Sequence, residues 1–237
     1  MPRSHPPAAL SAQNIGSLMR VALGQAKADL VVTDATLLNV YTGELLKDYS
    51  VAVKGERIAY VGPRPGPTIG PRTQVLEAGG QVLIPGLVDA HTHLIFLYTP
   101  AEFVPYAVRS GTTTVVTETQ ELSFALGYDG VEEYIDSLQG QPIKLFATLP
   151  AMATISPTAE ANALTPHHIR RLLRRPEVLG LGETYWAPAL QGNKRLLRYF
   201  QETLRAGKKL EGHAAGAREE KLAAYAAAGV SSCHEPI

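Results

Sequence analysis

Apolar and polar positions follow two rhythms along the 237 residues, and the change falls near Gly80. Before it, short apolar runs are bounded by turn residues. Asp29-Leu30-Val31-Val32 begins one strand, and Tyr49–Val53 and Arg57–Val61 flank Lys54-Gly55-Glu56, the pattern of a hairpin. Pro63–Pro71 holds prolines at 63, 65, 67 and 71 and reads as a loop. Residues 21–80 are therefore expected to form a small β-sandwich-like module, part of a composite domain. Residues 1–20, rich in Pro, Ala and Ser, are expected to be a flexible N-terminal extension. After Gly80, apolar runs alternate with helical stretches. Strands are predicted near 82–89, 113–117, 143–149, 178–182, 208–212 and 229–233. Helices are predicted near 100–109, 130–138, 166–175, 194–206 and 217–228. Thr99-Pro100-Ala101-Glu102 has capping-box spacing, Thr165-Pro166 repeats the cap-then-proline arrangement, and Pro105 should kink or shorten its helix. Such alternation predicts a parallel sheet with crossover helices over residues 81–237. An open doubly wound sheet and most of a TIM barrel both fit. The lack of a G-x-G-x-x-G after the first strand weakens the dinucleotide-binding version.

Charge and composition narrow the partners. Lys and Arg number 22, as do Asp and Glu, so there is no electrostatic footprint for nucleic acid or an anionic membrane. No apolar run approaches the roughly 18 residues of a membrane span. The opening MPRSHPPAAL lacks a signal peptide's apolar core. With one cysteine, Cys233, no internal disulfide can form, and a cytoplasmic location is expected. Arg170, Arg171, Arg174 and Arg175 read as a solvated helix face.

The candidate chemistry lies at strand ends. Of seven histidines, four close predicted strands: His91 and His93 the first, His213 the fifth and His234 the sixth, while Glu183 closes the fourth. Residues i and i+2 of a strand share a face, so His91 and His93 can aim at one ion. In a parallel barrel every strand's carboxyl end opens on one mouth, where such enzymes keep their active sites. Nitrogen and oxygen donors of this kind suit Zn, Mn or Fe. A lone buried histidine is more often a hydrogen-bonded core residue, but four histidines and a glutamate at strand ends are hard to assign to packing. His5, His167 and His168 do not share this placement and read as solvated.

Pro85-Gly86-Leu87-Val88-Asp89-Ala90-His91-Thr92-His93 resembles the entry motif of the metal-dependent amidohydrolase superfamily. Val178–Glu183, Glu211-Gly212-His213-Ala214-Ala215-Gly216 and Ser232-Cys233-His234-Glu235 resemble strands four to six of the adenine deaminase family. Gly111–Val116 and Ala28–Val61 are also similar, so the likeness runs from about residue 20 to the end. Many other members of the superfamily carry a carboxylated lysine at the strand-four position, where this chain and the adenine deaminases have glutamate. The resemblance implies a TIM-barrel hydrolase with two divalent ions, Mn or Fe with Zn as the alternative. His91 and His93 would hold one ion, His213 and His234 the other, with Glu183 bridging. The implied reaction is hydrolytic deamination, in which the ions lower the pKa of a water that attacks C6 of adenine to give hypoxanthine and ammonia.

The chain also departs from the family. Leu94-Ile95-Phe96-Leu97 stands where Ile-Glu-Ser-Ser is common, Gln120 replaces a histidine, and Cys233 replaces an aspartate. These changes keep open an amidohydrolase acting on another cyclic amide or amine, and a non-catalytic barrel relative serving assembly. About six of eight barrel strands are present, and the strand-eight aspartate that shuttles protons in the superfamily has no counterpart. Glu235 is the candidate to replace it. The open barrel predicts a fragment or split enzyme, with a homo-oligomer or a complementing C-terminal chain as partner besides a purine-like small-molecule substrate.

Overall fold

The computed structural model describes residues 11–151 and 156–235, which divide into two compact units at Pro85/Gly86. The first unit contains α1 (Ala12–Ala22), β1 (Leu30–Leu38), β2 (Leu45–Lys54), β3 (Arg57–Gly62), β4 (Gln74–Glu77) and β5 (Val82–Leu83). They form one mixed sheet of order β3-β2-β1-β4, with β5 also on β1. Gly55, at φ 58°, sits in the predicted β2–β3 hairpin turn, a conformation that costs glycine little. Within this unit the described residues form no second sheet. α1 packs on β2 and β3, and Val21 and Val31 lie in the same fully buried cluster. The expected sandwich is thus a helix-on-sheet layer.

Two boundary expectations change here. Residues 12–22 are helical, with Ser11 Oγ accepting from Asn14 N at the N-cap, so the extension is not loose from Ala12 onward. Residues 1–10 lie outside the described residues. The run predicted as one strand over 82–89 is split. Val82 and Leu83 pair with Thr36 and Leu37 of the first sheet, and a new strand starts only after Pro85-Gly86.

The second unit contains β6 (Leu87–Thr92), α2 (Pro100–Arg109), β7 (Thr112–Thr117), α3 (Gln120–Ser137), β8 (Lys144–Pro150), α4 (Pro157–Ala161), α5 (Pro166–Leu172), β9 (Val178–Tyr185), α6 (Trp186–Leu190), α7 (Lys194–Arg205), β10 (Lys209–His213), α8 (Glu219–Ala227) and β11 (Val230–Cys233). Its sheet is parallel throughout and runs β11-β10-β9-β8-β7-β6 in space. The core lies where helices cover the sheet, with Ile135, Leu138, Leu149, Ile169, Leu172 and Leu181 essentially inaccessible. α7 shows the local logic. Leu196, Tyr199, Phe200 and Thr203 recur at the spacing of one helical face and are buried, and Asn193 Oδ1 accepts from Leu196 N to cap the helix.

Helix details refine the expectations. α2 keeps its predicted span despite Pro105. Its capping box is formed, and the Ala101 carbonyl that loses a donor lies at the solvent face. α3 begins ten residues earlier than predicted and bends at Gly127, which adopts φ 64°. The arginines on and after α5 are not merely solvated. Arg170 clasps Glu202 of α7 through two hydrogen bonds of 2.9 and 3.0 Å, Arg171 pairs with Glu132, and Arg175 with Asp136. His168 Nδ1 accepts from Thr165 N to complete a capping box.

Curvature distinguishes a barrel segment from an open sheet. A flat six-stranded sheet would place its edge strands roughly 24 Å apart. Here the rings of His91, on β6, and His234, just past β11, stack with centroids 3.5 Å apart and planes within 11°. The sheet is a parallel half-barrel whose two edges approach at the carboxyl ends.

Candidate metal centre

The backbone delivers the central carboxylate through a bulge. Leu181 pairs with Leu210 and Thr184 with Gly212, so Gly182 and Glu183 of β9 face the single residue Glu211 of β10. Glu183 adopts φ 51°, in the left-handed region, a strained conformation for a non-glycine residue that costs about 1–3 kcal/mol. Bulges of this kind re-aim a side chain, and Glu183 is only 2% exposed. A second register irregularity lies between Asp89 and Thr92 of β6, flanking His91. Space is tight at Gly182, next to Glu183. A Cβ there would meet the Glu118 carboxylate at 2.2 and 2.5 Å and Thr148 Oγ1 at 2.5 Å.

Four imidazoles surround Glu183, each with Nε2 turned inward. His91 and His93 place Nε2 3.4 Å from Glu183 Oε1, and His234 places it 3.9 Å away. His213 Nε2 contacts Glu183 Oε2. Each Nδ1 turns outward to another carboxylate. His93 Nδ1 lies 2.8 Å from Glu121 Oε1, and His213 Nδ1 lies 2.9 Å from Glu235 Oε1. His234 Nδ1 contacts Glu211 Oε1, and His91 Nδ1 lies 3.5 Å from both Glu118 and Glu211. For His93 and His234, a proton held on Nδ1 by Glu121 and Glu211 leaves the Nε2 lone pair free, the tautomer a metal ligand needs, whereas His213 Nδ1 makes no hydrogen bond despite the nearby Glu235 carboxylate.

The donor set suits a cation better than it suits itself. Glu183 Oε1 is buried with no hydrogen-bond partner, although three Nε2 atoms crowd it. His91 Nε2 and His93 Nε2 stand 3.2 Å apart. Three groups bring one donor atom per residue within 4.8 Å of one another: His91, His93 and Glu183; Glu183, His213 and His234; and His91, Glu211 and His234. Converging lone pairs on buried N and O atoms fit divalent Zn, Mn or Fe.

Electrostatics divide the carboxyl groups. Burial drives Glu118 well above the usual carboxylate range, reinforced by the charges of Glu211, Glu183 and Glu121 and opposed by a bond from Thr148 Oγ1. Burial also acts to raise Glu211, but the imidazoles of His91 and His234 outweigh it and hold the group low. Glu235 is held low by His213. His213 itself would be lowered by burial, yet Glu183 and Glu235 raise it above the usual histidine range.

All five residues expected to ligate, His91, His93, Glu183, His213 and His234, meet in this cluster. Glu235, the candidate proton carrier, has both oxygens engaged, Oε1 against His213 and Oε2 accepting from Ala215 N. Three further carboxylates, Glu118, Glu121 and Glu211, belong to the cluster and were not singled out in the sequence. Glu211 was within reach of the i, i+2 rule, because it shares a strand face with His213. Gln120 is buried with Oε1 unpartnered. Cys233 Sγ accepts from Ala214 N at 3.3 Å and donates to the Glu235 carbonyl at 3.6 Å, so its thiol is engaged with backbone groups. No helix among the described residues is long and apolar enough to cross a membrane.

A parallel half-barrel gathering imidazoles and a bulged carboxylate at its carboxyl ends defines a barrel-type α/β protein with a candidate metal centre. The chain belongs to the amidohydrolase family, whose sequence profile matches residues 82–235. It is 34% identical to adenine deaminase of Cenarchaeum symbiosum over 227 residues and 37% identical to adenine deaminase of Paracoccus denitrificans over 223. Those matches cover 95% and 92% of this chain but 37% of each relative, so the chain spans little more than a third of their length. In fold it is similar to the beta-aspartyl dipeptidase of Fervidobacterium islandicum. The TM-score is 0.55 at 18% identity, covering 83% of this chain and 53% of that one.

Proposed function

We propose that this chain carries the metal-binding half of a hydrolase that deaminates a purine base, with adenine as the leading substrate. The observation that supports this most is the inward convergence of four Nε2 atoms on a buried, unpartnered carboxylate oxygen. The similarity to adenine deaminases supplies the substrate. In this reading His91 and His93 hold one divalent ion, His213 and His234 a second, and Glu183 serves both. Mn or Fe is the expected metal, with Zn as the alternative. Such ions would lower the pKa of a water toward neutrality and so supply a nucleophile for a ring carbon bearing an amino group. The chain's own contribution is orientation. Glu121 and Glu211 fix the tautomers of His93 and His234, and the Glu183 bulge sets the position of the shared carboxylate. A cytoplasmic setting and a C-terminal segment completing the barrel, in cis or as a partner chain, belong to the same proposal.

The test measures metal content and ammonia release from adenine on the protein loaded with Mn or Fe, with Glu183→Ala in parallel. Bound metal on this chain is the expected result, with ammonia released by the wild type only when the completing C-terminal segment is supplied and not by the variant in either case. A protein that takes up none of Mn, Fe or Zn would sink the proposal and favour an assembly role. Metal with release of ammonia only from other cyclic amines or amides would retain the centre and replace the substrate.

A further inference from the structure

We infer that Phe96 is a specificity-determining residue whose ring stacks on the planar heteroaromatic ring of the substrate; this rests on the reading of the donor set as a hydrolytic metal centre. Phe96 ends the short 3-10 turn Leu94–Phe96 that starts directly after His93. The turn sorts its apolar residues. Leu94 is buried at 4% exposure, whereas Phe96 and Leu97 stand 65% and 81% exposed. Scattered exposed apolar residues are common and carry no message. Phe96 differs in its alignment. Its ring lies 5.5 Å, centroid to centroid, from the imidazole of His93 and within 20° of parallel. On the other side of the cluster, Tyr185 lies 4.5 Å from the imidazole of His213 and within 22° of parallel.

Two of the four candidate ligands thus carry an aromatic ring stacked on them in a nearly parallel plane, and one of those rings is largely open to solvent. A flat ring entering beside His93 continues the stack on Phe96, with offset π faces at the separations aromatic pairs prefer. A saturated ring, puckered by its sp³ carbons, cannot lie flush on that face. The site therefore selects aromatic amines over saturated cyclic amides through a contact remote from the donor atoms.

The experiment is calorimetric titration of the Mn-loaded protein with adenine and, separately, with dihydrouracil as the saturated comparator, for wild type, Phe96→Ala and Phe96→Tyr. Metal content is measured on each. Losing one base–aromatic stack should weaken adenine binding by about tenfold in Phe96→Ala. Dihydrouracil binding and metal content should be unchanged, and Phe96→Tyr should bind adenine like wild type. The inference is overturned if Phe96→Ala binds adenine as tightly as wild type, or if both ligands weaken equally. It is also overturned if the wild type binds adenine no more tightly than dihydrouracil. Stacking-dependent adenine binding without ammonia release, even with the completing C-terminal segment supplied, would instead count against the proposed reaction alone.

Discussion

A single methyl group at residue 180 probes how far the centre depends on the close approach of β9 and β10. Gly180 pairs with Lys209 across these strands. A Cβ on Gly180 would lie 1.9 Å from the Lys209 carbonyl oxygen, 2.7 Å from its carbon and 2.8 Å from its nitrogen. Backbone atoms of a paired strand cannot rotate aside, so the strands must part by about 1.5 Å to restore an ordinary contact. Overpacking of this kind costs about 1–3 kcal/mol, and two stretched ladder hydrogen bonds add about 1 kcal/mol each. The expected destabilisation of Gly180→Ala is about 3–5 kcal/mol, which lowers Tm by roughly 6–20 °C in a chain of this size. Because β9 carries Glu183 and β10 carries His213, metal binding should fall with it. Circular-dichroism melting and metal analysis measure both. Gly66→Ala is the control, since open space surrounds that position and its φ is ordinary; it should stay within about 1 kcal/mol of wild type. A Gly180→Ala protein that melts within about 2 °C of wild type and keeps its metal would refute the reasoning.

Two further outcomes follow from the carboxylates behind the histidines. Glu121→Gln keeps the shape at His93 Nδ1 but removes the charge, and should weaken metal binding by about 10- to 100-fold in competition with a chromogenic chelator. An unchanged affinity would remove Glu121 from any orienting role. In the chelator-treated protein the pH dependence has two limbs. His213, raised in the fold, contributes stability that is full at acidic pH below the free-histidine value and is lost as pH rises through its folded value. Glu211 and Glu235, lowered in the fold, contribute stability present above the ordinary carboxylate range and lost as pH falls through their folded values. Urea midpoints of the metal-free protein should therefore peak in the mildly acidic window between the limbs. Metal affinity, which needs deprotonated ligands, should keep rising toward neutral pH. A metal-free midpoint that climbs steadily from pH 5 to pH 8 would contradict the assignment.

The six barrel strands were legible because each is a short apolar run between turn residues, and their polar terminal residues stood out against that background. Helices with caps, such as α2 and α7, were equally legible. The opening of α3 was not, because Gly127 breaks its periodicity and the helix resumes at an angle. α1 was hidden by the Ala- and Ser-rich composition around it, and its stability comes from packing on β2 and β3 rather than from its own sequence. Within the centre, histidines are scarce and their positions carry information. Carboxylates are common, and Glu118, Glu121 and Glu211 acquire their roles only when the sheet curls and brings β7, the start of α3 and β10 against β6 and β11. The left-handed bulge at Glu183 was also beyond reach, since it is a mismatch in register between two strands.

The stacking of His91 on His234 ties together two points roughly 140 positions apart along the chain. Two ions, one on His91 and one on His234, joined through Glu183, would act as a covalent staple does, restricting the denatured ensemble. By the chain-entropy relation for cross-links, closing a loop of that length is worth about 5 kcal/mol. Such a closure forms only after most of the sheet has assembled, so the bound ions should slow unfolding more than they speed folding. With one cysteine and no internal disulfide available to it, this chain would draw its long-range tether from the same atoms that do its chemistry.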